Sequence, residues 1–458
     1  MNPAASPSAT PGLPPGPPSN PWLTLNAILR PDVMMTRWLE QYGDPFCTSV
    51  ISGATVISCS PEGARCLLTA DPDYFGVADP ELMLPLLGDK SLLLLSGEQH
   101  RSERKLLGPP FHGDRMRAYG ALMREIALKY AARWPLHTPF RALDTTQSIS
   151  LEVILRAVFG VESDRVEAFR QVIIDLVKSF GPLLIFVRAL RRPLLGLGPW
   201  DRFVALRDRV DRMLDEEMQR RAAAPQERQD ILSLLMAARH EDGSPLDRQH
   251  LRDELITLLF AGHETTGLSL SWALYHLHRE PEVLAKLRKE LADCPPELAD
   301  KPDAVAQLPY LSAVCSETLR LHPLVPVMPP RLVKRPFPFL GYTLPPGTLV
   351  TIGTTRVHKR PELYPEPLAF RPERFLGRTY SPFEYLPFGG GVRRCLGAAF
   401  AMYEMKIVLA ALVESCRLEL ASPEPVREVR RNAVMAPANG VQLVLRERLP
   451  ARMTATAG

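Results

Sequence analysis

Thiolate sulfur is a strong ligand for a soft metal, and one of the seven cysteines of this chain stands in a setting unlike the other six. Cys395 lies in Phe388-Gly389-Gly390-Gly391-Val392-Arg393-Arg394-Cys395-Leu396-Gly397. Successive glycines before the cysteine, and one after it, let the backbone turn sharply and approach a flat ligand closely. Leu396, Phe400, Tyr403, Ile407 and Ala410 recur at helical spacing and predict a helix from Leu396 to about Glu414. The sulfur is then expected at a helix mouth, where unpaired N–H groups and the positive dipole end favour thiolate over thiol. Arg393, in the loop before that helix, is placed to hold an anion at the rim of whatever the sulfur binds. Two plainer readings compete. A lone cysteine near glycines is most often a small buried hydrophobe. A phosphate-binding loop would need Gly-Lys-Ser/Thr after the glycines, and none follows.

A second stretch is costly unless it does chemistry. Leu255, Leu258, Leu259, Ala261, Leu268, Leu270 and Trp272 predict one long apolar helix from Leu251 to about His278. Its middle reads Ala261-Gly262-His263-Glu264-Thr265-Thr266. Gly262 weakens a helix interior by about 1 kcal/mol, and Thr265 can back-bond to a carbonyl one turn earlier. An acid, an alcohol and a glycine inside a buried helix break local rules in the way functional sites do. A hydroxyl can orient a water, and a carboxylate can relay protons from solvent, so the pair suits proton delivery. Zinc chemistry of the His-Glu-x-x-His type is excluded, because Gly267 stands where the second histidine would be.

Other elements must hold these two in place. His100 and Arg104 are four apart on a helix expected after Gly97, so they share a face suited to an anion or to solvent. Glu317 and Arg320, three apart after a helical run from Pro309, can pair, although such pairs are commonplace. Helices are also expected at Pro31–Tyr42, Pro61–Thr69, 151–159, 166–180 and 206–223, and a hairpin at 48–58 around Ser52-Gly53. Asp73 to Leu95 reads as irregular, with Leu92-Leu93-Leu94-Leu95 as a core segment. Pro182 to Val187 and Leu194 to Leu197 are conspicuously apolar. Arg417–Leu420 and Val441–Arg446 read as the last strands, with a turn at Val434–Pro437.

The chain has 458 residues, 46% of them hydrophobic, which is ample for a large core; length alone would suggest two or three domains. A net charge of +4 is too weak to argue for nucleic acid. No cysteines form a C-x-x-C pair, which fits a reducing compartment without a disulfide framework. No charged-then-apolar leader opens the chain, and no run of about 18 apolar residues occurs. Residues 1–20, rich in Pro, Ala, Ser and Gly, read as a disordered leader.

The spacing Phe-x-x-Gly-x-Arg-x-Cys-x-Gly, filled by Phe388, Gly391, Arg393, Cys395 and Gly397, resembles the signature of the cytochrome P450 superfamily, the haem-thiolate monooxygenases. Ala261-Gly262-x-Glu264-Thr265, Glu317-x-x-Arg320 and Phe370-Arg371-Pro372-Glu373-Arg374-Phe375 match further motifs of that family, and the likeness runs from about residue 20 to the C-terminus. It implies a mainly α fold with a small β part, one large domain over 21–458, in place of the domains length alone suggested. It implies haem b with Cys395 as the axial iron ligand; the absence of C-x-x-C-H excludes covalent haem attachment of the c type. His100, Arg104, Arg331 and Arg393 become propionate ligands, Glu264 and Thr265 the proton-handling pair. Glu317, Arg320 and Arg374 become a buried structural network behind the haem. Leu258, Ala261, Val325, Val327 and Met435 become an apolar substrate pocket, and the apolar segments near 182–197 a mobile lid. The activity implied is insertion of one oxygen atom from O2 into a lipophilic molecule such as a fatty acid or terpenoid, by hydroxylation or epoxidation. No fused flavin or ferredoxin module is recognisable, so electrons are expected from a ferredoxin and its reductase. Lacking the anchor of the microsomal relatives, the chain is similar to the soluble bacterial members, expected in the cytoplasm and, by default, monomeric. Two alternatives remain: a peroxygenase of the same fold, whose members lack the acid–alcohol pair, and a haem-binding protein without turnover.

Overall fold

The computed structural model describes residues 10–50, 53–111, 114–161, 165–181, 184–185, 187–223, 230–240, 242–431 and 434–450. Residues 1–9 of the expected leader, Ser52 of the hairpin turn, and Pro182, Leu183 and Phe186 of the first apolar segment lie outside them.

Helices dominate, and local chemistry sets their ends. Pro31–Tyr42 carries proline in its first turn and stops at Gly43, whose φ of 81° is easy only for glycine. Pro61–Thr69 is capped by Ser60 Oγ, which accepts from Gly63 N. The long helix spans Arg248–Arg279, one turn earlier than the apolar periodicity suggests, because Asp247 accepts from His250 N and caps it there. It runs through the centre of the large helical core, with Leu268, Leu270, Trp272 and Leu277 fully buried. Ala142–Ala157 packs along it so tightly that a Cβ on Gly267 would lie 2.8 Å from Gln147 Cα. Thr146 Oγ1 donates to Gly267 O at 2.8 Å at the same crossing.

The β part is small. Its five-stranded sheet runs Phe46–Val50, Gly53–Ser58, Leu349–Ile352, Arg331–Val333, Phe75–Val77. Only the pairing of Gly53–Ser58 with Leu349–Ile352 is parallel. A second core of Val56, Leu67, Phe75, Val333 and Val350 lies against it. Cys416–Leu420 and Gln442–Arg448 pair antiparallel, with Pro139–Arg141 along the outer edge.

Several other expectations about these elements differ from the structure. Val434–Pro437 is a buried strand paired with Glu428–Arg431, and the chain turns after it. The stretch from Asp73 to Leu95 is not all irregular: Phe75–Val77 joins the sheet and Leu84–Leu87 is a short helix. Of the leucine run, Leu92 is buried but Leu93 is 46% exposed. Within the expected leader, Pro14 is buried, and Pro15 O accepts from Cys47 N at 2.9 Å. Among the described residues no helix is long and apolar enough to cross a membrane.

Candidate active site

Gly389 and Gly391 take φ of 64° and 63°, so the loop ahead of the sulfur folds back on itself, and Cys395 N donates to Phe388 O at 2.9 Å. A Cβ on Gly391 would stand 2.5 Å from Leu68 O, so the loop lies against the end of the Pro61–Thr69 helix. Cys395 is the exposed cysteine; Cys59, Cys294, Cys315 and Cys416 are buried, Cys47 and Cys66 half-buried. The following helix begins only at Ala398. The helix mouth therefore acts more weakly than expected. Crowding walls desolvate the sulfur and push its thiol up, against the opposing pull of the Gly397 N–H and the Arg104 and Arg394 charges.

Four donors converge beside it. His100 and Arg104 project from Gly97–Leu107, Arg331 from the sheet, and Arg393 from the cysteine loop. Their charges bear on one another. Burial, then the charges of Arg393, Arg104 and Arg331, hold the His100 imidazole down to about 4. Burial, then Arg393, holds Arg331 down to about 10; burial, then Arg104, does the same to Arg393. No carboxylate figures among these causes. Arg331 donates from Nη1 to Leu67 O at 3.0 Å, while its buried Nη2 has no partner. Arg393 is partly committed, donating to Leu92 O and Leu95 O. A concentration of positive donors with an orphaned guanidinium nitrogen, next to an exposed thiol, fits the two carboxylates and the iron of haem b.

On the long helix, Thr265 Oγ1 donates to Ala261 O at 2.9 Å, the back-bond expected from the sequence. Gly262 faces Ile154, whose Cδ1 would lie 2.7 Å from an added Cβ. Buried His263 donates from Nδ1 to Leu259 O at 3.1 Å and stays within its own helix. Glu264 has a partner that sequence reasoning missed: Arg431 Nε, 3.1 Å away on the Glu428–Arg431 strand. Burial pushes the Glu264 carboxyl up and Arg431 opposes it. Arg431 is nearly half exposed, so the pair joins a half-buried acid to solvent.

Behind the cysteine loop, Glu317, Arg320 and Arg374 meet. Arg320 donates to Glu317 through Nε at 2.6 Å and Nη2 at 2.8 Å; Arg374 Nε and Arg371 N both reach Glu317 Oε1, at 3.0 and 2.8 Å. Arg320 also donates to His358 O and Pro367 O. Of the apolar residues expected around a substrate, Ala261 and Val325 are exposed, Leu258 is half-buried and Met435 is buried, its N–H donating to Leu324 O at 2.8 Å. Val327 packs elsewhere, against the N-terminal cluster of Met34, Met35 and Trp38. The chain bends through residues 324–327, and Val325 and Val327 do not share one surface.

A family model described as Cytochrome P450 matches residues 14–445. Cytochrome P450 138 of Mycobacterium tuberculosis is 34% identical over 419 residues, covering 91% of this chain and 92% of that protein. Cytochrome P450 135B1 of the same organism is 37% identical over 418 residues, covering 90% and 86%. Among solved structures, the retinoic acid-bound cyanobacterial CYP120A1 aligns with a TM-score of 0.84 at 27% identity, covering 97% of this chain and 100% of that one. The haem domain of cytochrome P450DA aligns at 0.82 with 22% identity, a likeness of fold.

Proposed function

The chain belongs to the cytochrome P450 family and is a haem-thiolate monooxygenase, and on that premise we propose that it oxygenates a lipophilic small molecule, of the fatty-acid or terpenoid class, with electrons from a ferredoxin. Haem b, when bound, supplies an iron that activates dioxygen. Cys395 ligates that iron, and His100, Arg104, Arg331 and Arg393 hold the propionates. Thr265 presents its hydroxyl on the oxygen side of the long helix. Glu264, held by Arg431 where solvent begins, takes protons from water there and passes them inward.

The carrying observation is that pair: a half-buried carboxylate, one residue from Thr265, whose partner stands in solvent. The half-buried Leu258 and the buried Met435 support an apolar substrate, as does the neighbouring structure's bound retinoic acid, an isoprenoid acid. Exposed Arg394 beside Cys395, and exposed Arg101 and Lys105 on the clamp helix Gly97–Leu107, support an acidic electron donor. Such a donor places the reaction in the cytoplasm.

The test is turnover with ferredoxin, reductase and NADPH, on substrates chosen by their spin-state shift. Product is expected with the ferredoxin chain and not with hydrogen peroxide alone; the reverse would replace this reading with the peroxygenase one. Thr265→Ala is expected to cut product per NADPH several-fold while peroxide accumulates, and unchanged coupling would remove Thr265 from proton handling. Arg431→Ala deletes the charge that lowers Glu264, so Glu264 should take up its proton at higher pH. The alkaline limb of product formation against pH, where a proton donor is lost, should then move upward. An unmoved limb would disconnect Glu264 from the rate.

A further inference from the structure

Among the described residues, one group of three side chains brings metal-ligating atoms together: Glu103, His250 and Glu254, all buried, with donor atoms within 4.8 Å of one another. Glu103 lies on the clamp helix between His100 and Arg104. His250 and Glu254 lie one turn apart at the start of the long helix, on one face. His250 Nε2 stands 2.6 Å from Glu103 Oε2. Leu92 N donates to Glu254 Oε1 at 2.7 Å, which orients the carboxylate. Its other oxygen, Oε2, is fully buried and has no partner. An isolated buried carboxylate oxygen is expensive, and cations or protons relieve it.

We infer that Glu103, His250 and Glu254 form a binding site for a divalent first-row cation of the zinc type, joining the clamp helix to the long helix. Two carboxylates and a neutral imidazole are a zinc donor set, and they cancel the charge of the ion. Donors of a tetrahedral zinc stand roughly 3.3 Å apart, inside the range between the 2.6 Å contact and the 4.8 Å limit of the group. Side-chain adjustment alone would seat the ion, with water in the fourth position. Such an ion pins the helix that carries His100 and Arg104 to the helix that carries Glu264 and Thr265. The site stands whether or not the proposed substrate and donor are right.

The test uses haem-loaded protein, stripped with chelator, dialysed against zinc chloride and then against metal-free buffer. Elemental analysis is expected to give one zinc beside one iron per chain, and the thermal midpoint to rise by several degrees in zinc. Glu254→Gln, which keeps the shape, and His250→Gln should each weaken zinc retention by roughly a hundredfold or more. Wild-type protein that keeps no zinc and shows no thermal shift would overturn the inference, leaving a proton shared among the three groups. Equal zinc retention by wild type and both variants would overturn it too, by placing the zinc elsewhere.

Discussion

Glu317→Gln is expected to yield almost no haem-loaded protein. Glu317 and Arg320 are fully buried, and Glu317 accepts from Arg320, Arg374 and the Arg371 backbone at once. A neutral amide has one acceptor oxygen where the carboxylate has two, and it leaves two guanidinium groups without their counter-charge. Removing one partner of a buried ion pair costs about 3–5 kcal/mol, a large part of the roughly 5–15 kcal/mol that stabilises a typical domain. Arg320 also fastens the carbonyls of His358 and Pro367, so losing its anchor loosens the segment leading to the cysteine loop. Haem absorbance per chain and the urea midpoint measure the effect. Wild-type values for both would show that the network is dispensable.

The other large effect is expected at Cys395. In the carbon-monoxide difference spectrum of reduced protein, wild type should show the strongly red-shifted Soret band of a thiolate ligand. Cys395→His should lose that band entirely, with product formation falling below detection. The remaining cysteines are controls, since Cys315 sits fully buried with its thiol pushed up to about 12. An unshifted band in well-folded wild type would assign the iron to another ligand and take the residue roles with it.

The long elements were legible where side-chain periodicity spans several turns. Pro31–Tyr42 and Pro61–Thr69 begin at a proline and end near a glycine or an apolar stop, and their bounds agree with the sequence reading. Glu317 and Arg320 were legible as neighbours because a helix turn brings them together. Three- and four-residue strands were not. Phe75–Val77 and Val434–Pro437 are too short for alternation to register, and Phe75–Val77 is also held by a partner strand distant in the sequence. The start of the last helix was misread because Leu396 continues its apolar stripe, while the backbone enters the helix only after Gly397. Arg431 escaped altogether. Its pairing with Glu264 depends on where a late strand lands against the long helix, and no local spacing encodes that. The proline-rich start misled through composition, since its attachment runs through a backbone carbonyl, Pro15 O, which composition does not see.

Leu92 holds the long helix with its N–H, through Glu254, and the cysteine loop with its C=O, through Arg393. One peptide segment is thus shared between the two faces of the cofactor pocket, and Lys90 N strengthens the hold through Asp253. The amide protons of Lys90 and Leu92 become native reporters of both sides at once. They exchange with solvent only when the segment lifts from the long helix, and lifting it also strips Arg393 of a carbonyl. Cofactor retention and opening of the oxygen-side helix are therefore linked equilibria, and tightening either one slows the exchange of the same two protons.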